Sequence, residues 1–334
     1  MKKAQPSSGY SPAWWLPNSH LQTLWGKLLR RPGIQVTAIE RLDTPDDDFL
    51  DIHHLDAPDG APLLVLLHGL EGTIRSHYIQ GLLAQARARR WRAAVLIFRS
   101  CSDEMNRSRR FYHSGETADL ALALDHLSRK FPRSPIVLAG ASLGGNVLLK
   151  YLGEQGNGIS PQIKGAVAVS VPFDLGRSSR HINRGFARVY QRHFLRSLRR
   201  KALAKLGRYP DLVSAERLHA AQTMYDFDDC FTAPVHGFLG AEDYYSRSSS
   251  IGWINRIGVS TLLLSAVDDP FLPPQVLDQV RVLANDNPAL ELEFTQRGGH
   301  AGFVGGTPFK PDYYLERRVG DFLARSLARS SAEN

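Results

Sequence analysis

The chain contains very little cysteine and no long apolar run. Cys101 and Cys230 are its only cysteines among 334 residues. Two cysteines exclude a disulfide framework and a cysteine-based metal site, and they favour a reducing compartment. No stretch approaches the roughly 18 apolar residues of a membrane-spanning helix. Residues 1–9 carry two lysines without an apolar segment behind them, so they do not resemble a secretory signal. We therefore expect a cytoplasmic protein.

Acidic residues are missing from one long segment. Between Arg177 and Arg208 there are eleven Lys or Arg residues and no Asp or Glu, whereas the rest of the chain is slightly acidic. The formal net charge of +8 is therefore a local feature. It does not indicate that the protein as a whole binds nucleic acid.

Apolar strands alternate with amphipathic helices along most of the chain. The predicted strands are residues 35–39, 48–55, 62–67, 93–98, 135–139, 163–171, 261–266 and 290–294. The predicted helices are residues 76–89, 116–130, 146–152, 274–284 and 313–327. This order predicts an α/β fold with a mostly parallel sheet, interrupted by a helical insertion.

A G-x-S-x-G motif connects the central strand to the helix that follows it. Its residues are Gly140, Ser142 and Gly144. Such a strand-to-helix turn lifts the serine hydroxyl above the edge of the sheet and needs small neighbours. The motif alone is common by chance, but its strand-and-helix context favours a nucleophilic serine at position 142.

A nucleophilic serine needs a base and an acid that orients the base. Asp268 and Asp269 follow the strand at 261–266, and His300 follows the strand at 290–294 after two glycines. The order Ser, Asp, His is that of the α/β-hydrolase triad. The spacing to the following prolines favours Asp269 over Asp268, and the alternative is that both aspartates only cap the next helix. We predict His300 as the general base.

The oxyanion of the reaction needs backbone N–H donors that already point at it. One candidate is Leu143, directly after the serine, and the other is Leu70 in the loop after the strand at 62–67. His68 in the same loop is interpreted as structural. Cys101 has no histidine placed for it as His300 is for Ser142, so we do not expect it to be a nucleophile.

Short motifs along the chain resemble the YheT-like, embryogenesis-associated branch of the α/β hydrolases. The resemblance covers about residues 18–325, and its motifs are HLQT at 20–23, HGLEG at 68–72, NR at 106–107, YHSGET at 112–117, ASLGGN at 141–146, VYQR at 189–192, HGF at 236–238, DYY at 243–245, DDPF at 268–271 and GGHAGF at 298–303. Ser100 departs from the glycine that is usual in the family. The resemblance implies an α/β-hydrolase fold. We interpret the helical insertion as a cap over the active site, and we expect no cofactor.

The resemblance also implies hydrolysis of carboxylic esters with medium-chain or lipid-like acyl groups. Some relatives are linked to acyl transfer onto alcohols, so acyl transfer is an alternative, and an inactive binding protein on the same fold is another.

We divide the chain into an N-terminal arm (1–30), the first part of the core (31–173), a helical cap (174–250) and the second part of the core (251–334).

The basic segment repeats every four residues. Arginines occupy positions 180, 184, 188, 192, 196 and 200, and apolar residues occupy 182, 186, 190, 194 and 198. The two rows would lie on nearly opposite faces of one helix in the cap, with the apolar row towards the domain or the acyl pocket. The arginines are either a solvated face or a contact for anionic lipid head groups, which would make the protein peripheral to a membrane. Nucleic acid is not an expected partner, because no recognition motif accompanies them.

Overall fold

An eight-stranded sheet forms the centre of the fold in a computed structural model, which describes residues 9–30 and 33–332. Its strands are β1 (Ala38–Asp43), β2 (Phe49–Leu55), β3 (Leu63–Leu67), β4 (Arg92–Ile97), β5 (Ile136–Ala141), β6 (Ile163–Val169), β7 (Thr261–Ala266) and β8 (Leu290–Thr295). The strand order is β1-β2-β4-β3-β5-β6-β7-β8, with β1 and β2 antiparallel to their neighbours and the others parallel. A separate hairpin joins β9 (Val304–Thr307) to β10 (Lys310–Tyr313). Residues 1–8 of the predicted arm, and 31–32 and 333–334 of the predicted core, lie outside the described residues.

Helices surround this sheet and form the connection between β6 and β7. They are α1 (Ser19–Leu29), α2 (His77–Ala88), α3 (Thr117–Lys130), α4 (Leu143–Gln155), α5 (Leu175–His181), α6 (Ala187–Arg208), α7 (Ala215–Ala220), α8 (Met224–Phe227), α9 (Ala233–Val235), α10 (Ala241–Ser248), α11 (Pro274–Ala284) and α12 (Tyr314–Ala332). A π-helical turn, Asp228–Thr232, separates α8 from α9. We call the segment from α5 to α10 the cap. Among the described residues, no helix is both long and apolar enough to cross a membrane.

The strand order changes direction at the centre of the sheet. β3 pairs with β4 on one side and with β5 on the other, and Leu67 at the end of β3 is level with Gly140 near the end of β5. All residues of both strands are buried, which explains their continuous apolar sequences. Ligands bind outside the carboxyl ends of parallel strands where the order reverses, so the loops after β3 and β5 are placed for a site.

Three sequence predictions differ from the structure. The strand predicted at 35–39 is β1, at 38–43, because pairing from Ala38–His54 to Asp43–Phe49 fixes its position while its own side chains are largely exposed. The N-terminal arm contains α1, whose start is capped by Asn18. The single basic helix predicted over 180–200 is wrong, because Gly185 adopts a φ of 49° between α5 and α6.

Candidate active site

Ser142 lies at a tight turn between the end of β5 and the start of α4. Its backbone has φ 53° and ψ −122°, a strained conformation for a residue other than glycine. Its N–H donates to Val169 at 2.8 Å, which ties the turn to β6. The turn tolerates no larger neighbour, since a Cβ on Gly140 would lie 2.5 Å from the carbonyl oxygen of Gly144. The close packing of strand and helix therefore explains both glycines of the motif.

His300 is held by the carboxylate of Asp269. The Nδ1 atom of His300 lies 2.9 Å from Oδ2 and 3.1 Å from Oδ1 of Asp269. The side chain of Asp269 is fully buried, whereas 11 % of the His300 side chain is exposed. Asp269 also accepts the N–H of Phe271 at 2.8 Å, and the Phe271 ring packs on the imidazole with centroids 4.1 Å apart. These contacts orient the imidazole and leave Nε2 available for a proton.

Asp268 has a different position from Asp269. Its Oδ1 accepts the N–H of Gly299 at 2.9 Å, so it holds the loop that carries His300. Burial and the neighbouring Asp269 carboxylate raise the pKa of Asp268. Of the two candidate acids, Asp269 is therefore the one that contacts the imidazole.

The backbone on either side of the imidazole is fixed by two hydroxyl groups that our sequence analysis missed. Thr23 Oγ1 in α1 accepts the N–H of His300 at 2.9 Å, and Ser170 Oγ accepts the N–H of Ala301 at 3.0 Å. Gln22 binds both the N–H and the carbonyl of Val304, at 2.8 and 3.0 Å. The HLQT motif at 20–23 was a signal for this contact, but it carried no indication of its partner.

The loop after β3 approaches Ser142 closely. A Cβ on Gly69 would lie 3.1 Å from the Cβ of Ser142. Tyr78 OH accepts the N–H of Gly69 at 2.8 Å, and Tyr112 OH accepts the N–H of Glu71 at 2.9 Å. Leu70 lies between Gly69 and Glu71 in the chain, and its N–H makes no hydrogen bond to any of the described residues. Leu70 is therefore free to donate to a ligand.

The second candidate donor, Leu143, is the first residue of α4, where backbone N–H groups lack partners within the helix. His68 holds the start of the loop after β3. Its Nδ1 lies 2.8 Å from the carbonyl oxygen of Gly69 and its Nε2 accepts the N–H of Phe98 at 3.1 Å. Burial lowers the pKa of His68 to about 4, so the ring is neutral and structural.

A cluster around the Glu71 carboxylate connects the loop after β3 to the cap. Lys201 Nζ in α6 donates to Glu71 Oε1 at 2.8 Å, and Tyr112 OH donates to the same oxygen at 2.8 Å. Ser197 in α6 donates to the other oxygen. Only 9 % of the Glu71 side chain and 18 % of the Lys201 side chain are exposed. The cap and the loop beside Ser142 therefore share one buried ion pair.

A cavity of about 510 Å³ lies between the cap and the sheet. Ser142, Leu70, Leu143 and His300 are all on its wall. Much of the remaining wall is apolar and comes from the cap, with Leu175, Ile182, Tyr190, Phe194, Leu198, Met224, Phe227 and Phe231.

Cys101 is not on this wall, and burial raises the pKa of its thiol to about 12, which keeps it unreactive. Within the described residues, no group of three or more His, Cys, Asp or Glu could hold a metal ion.

Comparison with known proteins agrees with this geometry. Residues 62–307 match the family model described as the alpha/beta hydrolase fold. The chain belongs to the α/β-hydrolase family. This α/β hydrolase is 40% identical over 330 residues to YheT of Escherichia coli (strain K12), whose name assigns it provisionally as an esterase, with 97% of this chain and 96% of that protein covered. The predicted YheT-like branch is therefore confirmed.

More distant relatives carry other names. The monoacylglycerol lipase of Saccharomyces cerevisiae is 31% identical over 270 residues, covering 78% of this chain and 58% of that protein. The embryogenesis-associated protein of Picea glauca is 31% identical over 306 residues, covering 86% and 66%. Among solved structures, the Pyrococcus furiosus esterase PF2001 has a TM-score of 0.57 at 17% identity, covering 86% of this chain and 90% of that chain. That likeness confirms the predicted fold class.

Proposed function

We propose that this protein is a serine hydrolase that cleaves carboxylic esters through an acyl-enzyme. The observation that carries the proposal is the 2.9 Å contact between Asp269 and His300, with His300 on the same cavity wall as the strained Ser142 turn. A buried carboxylate on Nδ1 holds the imidazole in the tautomer whose Nε2 can accept a proton. A serine hydroxyl next to such a base is the usual nucleophile of acyl transfer.

In the proposed reaction, Ser142 Oγ attacks the ester carbonyl while His300 Nε2 takes its proton. The negative charge of the tetrahedral intermediate falls on the former carbonyl oxygen, and the N–H groups of Leu70 and Leu143 stabilise it. The imidazolium, stabilised by Asp269, then gives the proton to the leaving alcohol. Water repeats the sequence on the acyl-enzyme and releases the carboxylic acid.

The cavity supports an acyl ester with an apolar chain as substrate. Side chains of the cap cover Ser142 with apolar surface, and about 510 Å³ accommodates a medium-length chain. The names of two relatives, an esterase and a monoacylglycerol lipase, point to the same bond type. We therefore place the substrate among medium-chain or lipid-like esters.

A series of p-nitrophenyl esters from acetate to palmitate tests this proposal. We expect turnover that peaks at an intermediate chain length, and a loss of roughly 10⁴-fold or more in kcat for Ser142→Ala. Ser160→Ala, at an exposed serine just before the start of β6 and not on the cavity wall, is the matched control and should keep full activity. Turnover that is equal in Ser142→Ala and the wild type would exclude the proposed nucleophile. Added ethanol distinguishes acyl transfer, which would yield the ethyl ester instead of the acid.

We also propose that the basic row of the cap contacts anionic lipid. The arginines of the row are exposed, and Phe186 and Val189 beside them are 52% and 51% exposed. Lys27 and His193 are exposed residues of the cavity wall and lie 3.1 Å apart, so the cavity reaches the surface beside this row. Basic residues with exposed apolar neighbours favour an anionic membrane surface.

Sedimentation with phosphatidylserine vesicles at low salt tests this contact. Binding should fall strongly in the triple variant Arg188→Glu, Arg192→Glu, Arg196→Glu. A control with the same charge change outside the cap is Arg87→Glu, Arg129→Glu, Arg133→Glu, all at exposed positions. Equal loss in both triple variants would mean that only net charge matters, and the proposed contact would be wrong.

A further inference from the structure

A hydroxyl group in the cavity wall has no hydrogen-bond partner. It belongs to Ser178 in α5, a residue that is only 7% exposed. Its Oγ is buried and unpaired, and the residue lies on the wall of the cavity that holds Ser142. A buried hydroxyl without a partner is unfavourable, so native proteins pair nearly all of them. Because the Oγ has almost no accessible surface, a group in the cavity supplies the missing partner only after the side chain turns about its χ1 bond.

Asp228 provides a second polar group on the same wall. It begins the π-helical turn of the cap and is 8% exposed. Its Oδ1 accepts the hydroxyl of Thr232 at 2.7 Å and its Oδ2 accepts the hydroxyl of Tyr245 at 2.7 Å. Within the described residues no Lys, Arg or His forms an ion pair with it. Burial raises the pKa of Asp228 to about 6, so the carboxyl is still mostly ionised at neutral pH.

Tyr245 connects the parts of the cap that carry these two groups. Tyr245 in α10 donates to Asp228, and it belongs to the same apolar cluster as Leu175, at the start of the helix that carries Ser178. A carboxylate has about four lone-pair positions, of which protein hydroxyls fill two, so Asp228 can accept further donors. π-Helical turns are rare and frequently occur at functional sites. The turn therefore presents an uncompensated acceptor to a cavity whose wall is largely apolar.

We propose that Asp228 and Ser178 form a subsite that binds a hydroxyl group of the substrate. A hydroxyl donates one proton and accepts another, so it can donate to Asp228 and accept from Ser178 Oγ. An ether or a plain alkyl chain donates nothing, and a quaternary ammonium group cannot pair with Ser178. The inference rests on the proposed function only in treating the ligand as part of an ester substrate.

Two isomeric probes test the subsite without requiring turnover. 1-Octanol and 1-methoxyheptane have the same atoms, but only the alcohol donates a hydrogen bond. Their dissociation constants follow from the rise of Tm with ligand concentration, measured in Ser142→Ala so that the nucleophile does not contribute. We expect the alcohol to bind roughly tenfold more tightly than the ether, as for a hydrogen bond to a charged group.

Variants of Ser178 and Asp228 test whether the subsite causes the tighter binding of the alcohol. Ser178→Ala and Asp228→Asn, each in the Ser142→Ala background, should reduce the preference to about threefold or less. Ser246→Ala, at an exposed serine in α10, should leave it unchanged. Ser178→Ala should also fold normally, because the hydroxyl it removes has no partner in the protein.

Three outcomes would overturn the subsite. The first is equal binding of the alcohol and the ether to the Ser142→Ala protein. The second is a preference for the alcohol that survives both subsite variants. The third is tighter binding of octyltrimethylammonium than of 1-octanol, lost in Asp228→Asn, which would assign the carboxylate to a cation. All three are read from binding, so they are independent of whether the protein hydrolyses esters.

Discussion

Replacing Lys201 with methionine should weaken both the fold and the catalytic step. Lys201 in α6 is the only cation that forms an ion pair with Glu71 among the described residues, at 2.8 Å. The variant leaves a carboxylate that is 9% exposed with only hydroxyl partners from Tyr112 and Ser197. Removing one partner of a buried pair typically destabilises by about 3–5 kcal/mol. Because 18% of the Lys201 side chain is exposed, we expect about 3 kcal/mol.

A double-mutant cycle measures this interaction directly. Glu71→Gln should destabilise less than Lys201→Met, because the partly exposed ammonium group can turn to water. Lys201→Met combined with Glu71→Gln should destabilise less than the sum of the single variants, by about 1 kcal/mol or more. Urea unfolding gives these free energies. Arg200→Met, at an exposed neighbour in α6, is the matched control and should change stability by less than about 0.5 kcal/mol.

The same variant should lower kcat more than it changes KM. Leu70, the proposed oxyanion donor, directly precedes Glu71, so loss of the ion pair releases the loop that places this N–H. Hydrolysis of p-nitrophenyl butyrate checks the split between kcat and KM. Strictly additive free energies, or an unchanged kcat in Lys201→Met, would refute the idea that the cap holds the loop after β3.

Three further predictions concern the cavity wall. Gly69→Ala should reduce kcat at least tenfold while Tm stays within a few degrees, because the new Cβ would lie 3.1 Å from that of Ser142. Thr23→Val should reduce kcat about tenfold with little change in KM, because the N–H of His300 loses its acceptor. Asp228→Asn should stabilise the protein increasingly as pH rises from about 4 to about 6, by about 3 kcal/mol at neutral pH, because burial raises the pKa of this carboxyl to about 6.

The sign of the pH effect follows from proton binding. Between pH 4 and 6 the folded protein keeps the Asp228 proton while the unfolded chain releases it, so this group makes the folded state less stable as pH rises. The hydroxyls of Thr232 and Tyr245 that face it do not titrate in this range. A difference in stability between Asp228→Asn and the wild type that is flat from pH 4 to 7 would contradict the prediction. Full activity in Gly69→Ala or Thr23→Val would contradict the other two.

Local patterns were sufficient to predict the central sheet and the three triad candidates. Strands buried on both faces have continuous apolar sequences, so β7 was predicted with its bounds unchanged. Ser142 and Asp269 follow strands of this kind, β5 and β7, and His300 follows the partly exposed strand β8, in the chain order of the family. The fold class and the family are confirmed, and the catalytic roles of these residues stay predictions until the variants are measured.

Long-range contacts account for what the sequence did not reveal. Thr23 and His300 are separated by 277 positions, and nothing near Thr23 indicates its partner. The edge strand β1 is mostly exposed, so its bounds depend on pairing with β2 and not on an apolar pattern. The four-residue repeat of arginines continued across Gly185, where the backbone breaks the helix.

Covalent labelling with a fluorophosphonate, followed by peptide mapping, tests the central claim most directly. The account predicts one adduct per chain, on the peptide that contains Ser142, at a rate that falls at least 100-fold in His300→Ala. Ser142→Ala should not be labelled at all. An adduct on another residue, or undiminished labelling without His300, would contradict the claim that Ser142 is a nucleophile activated by His300.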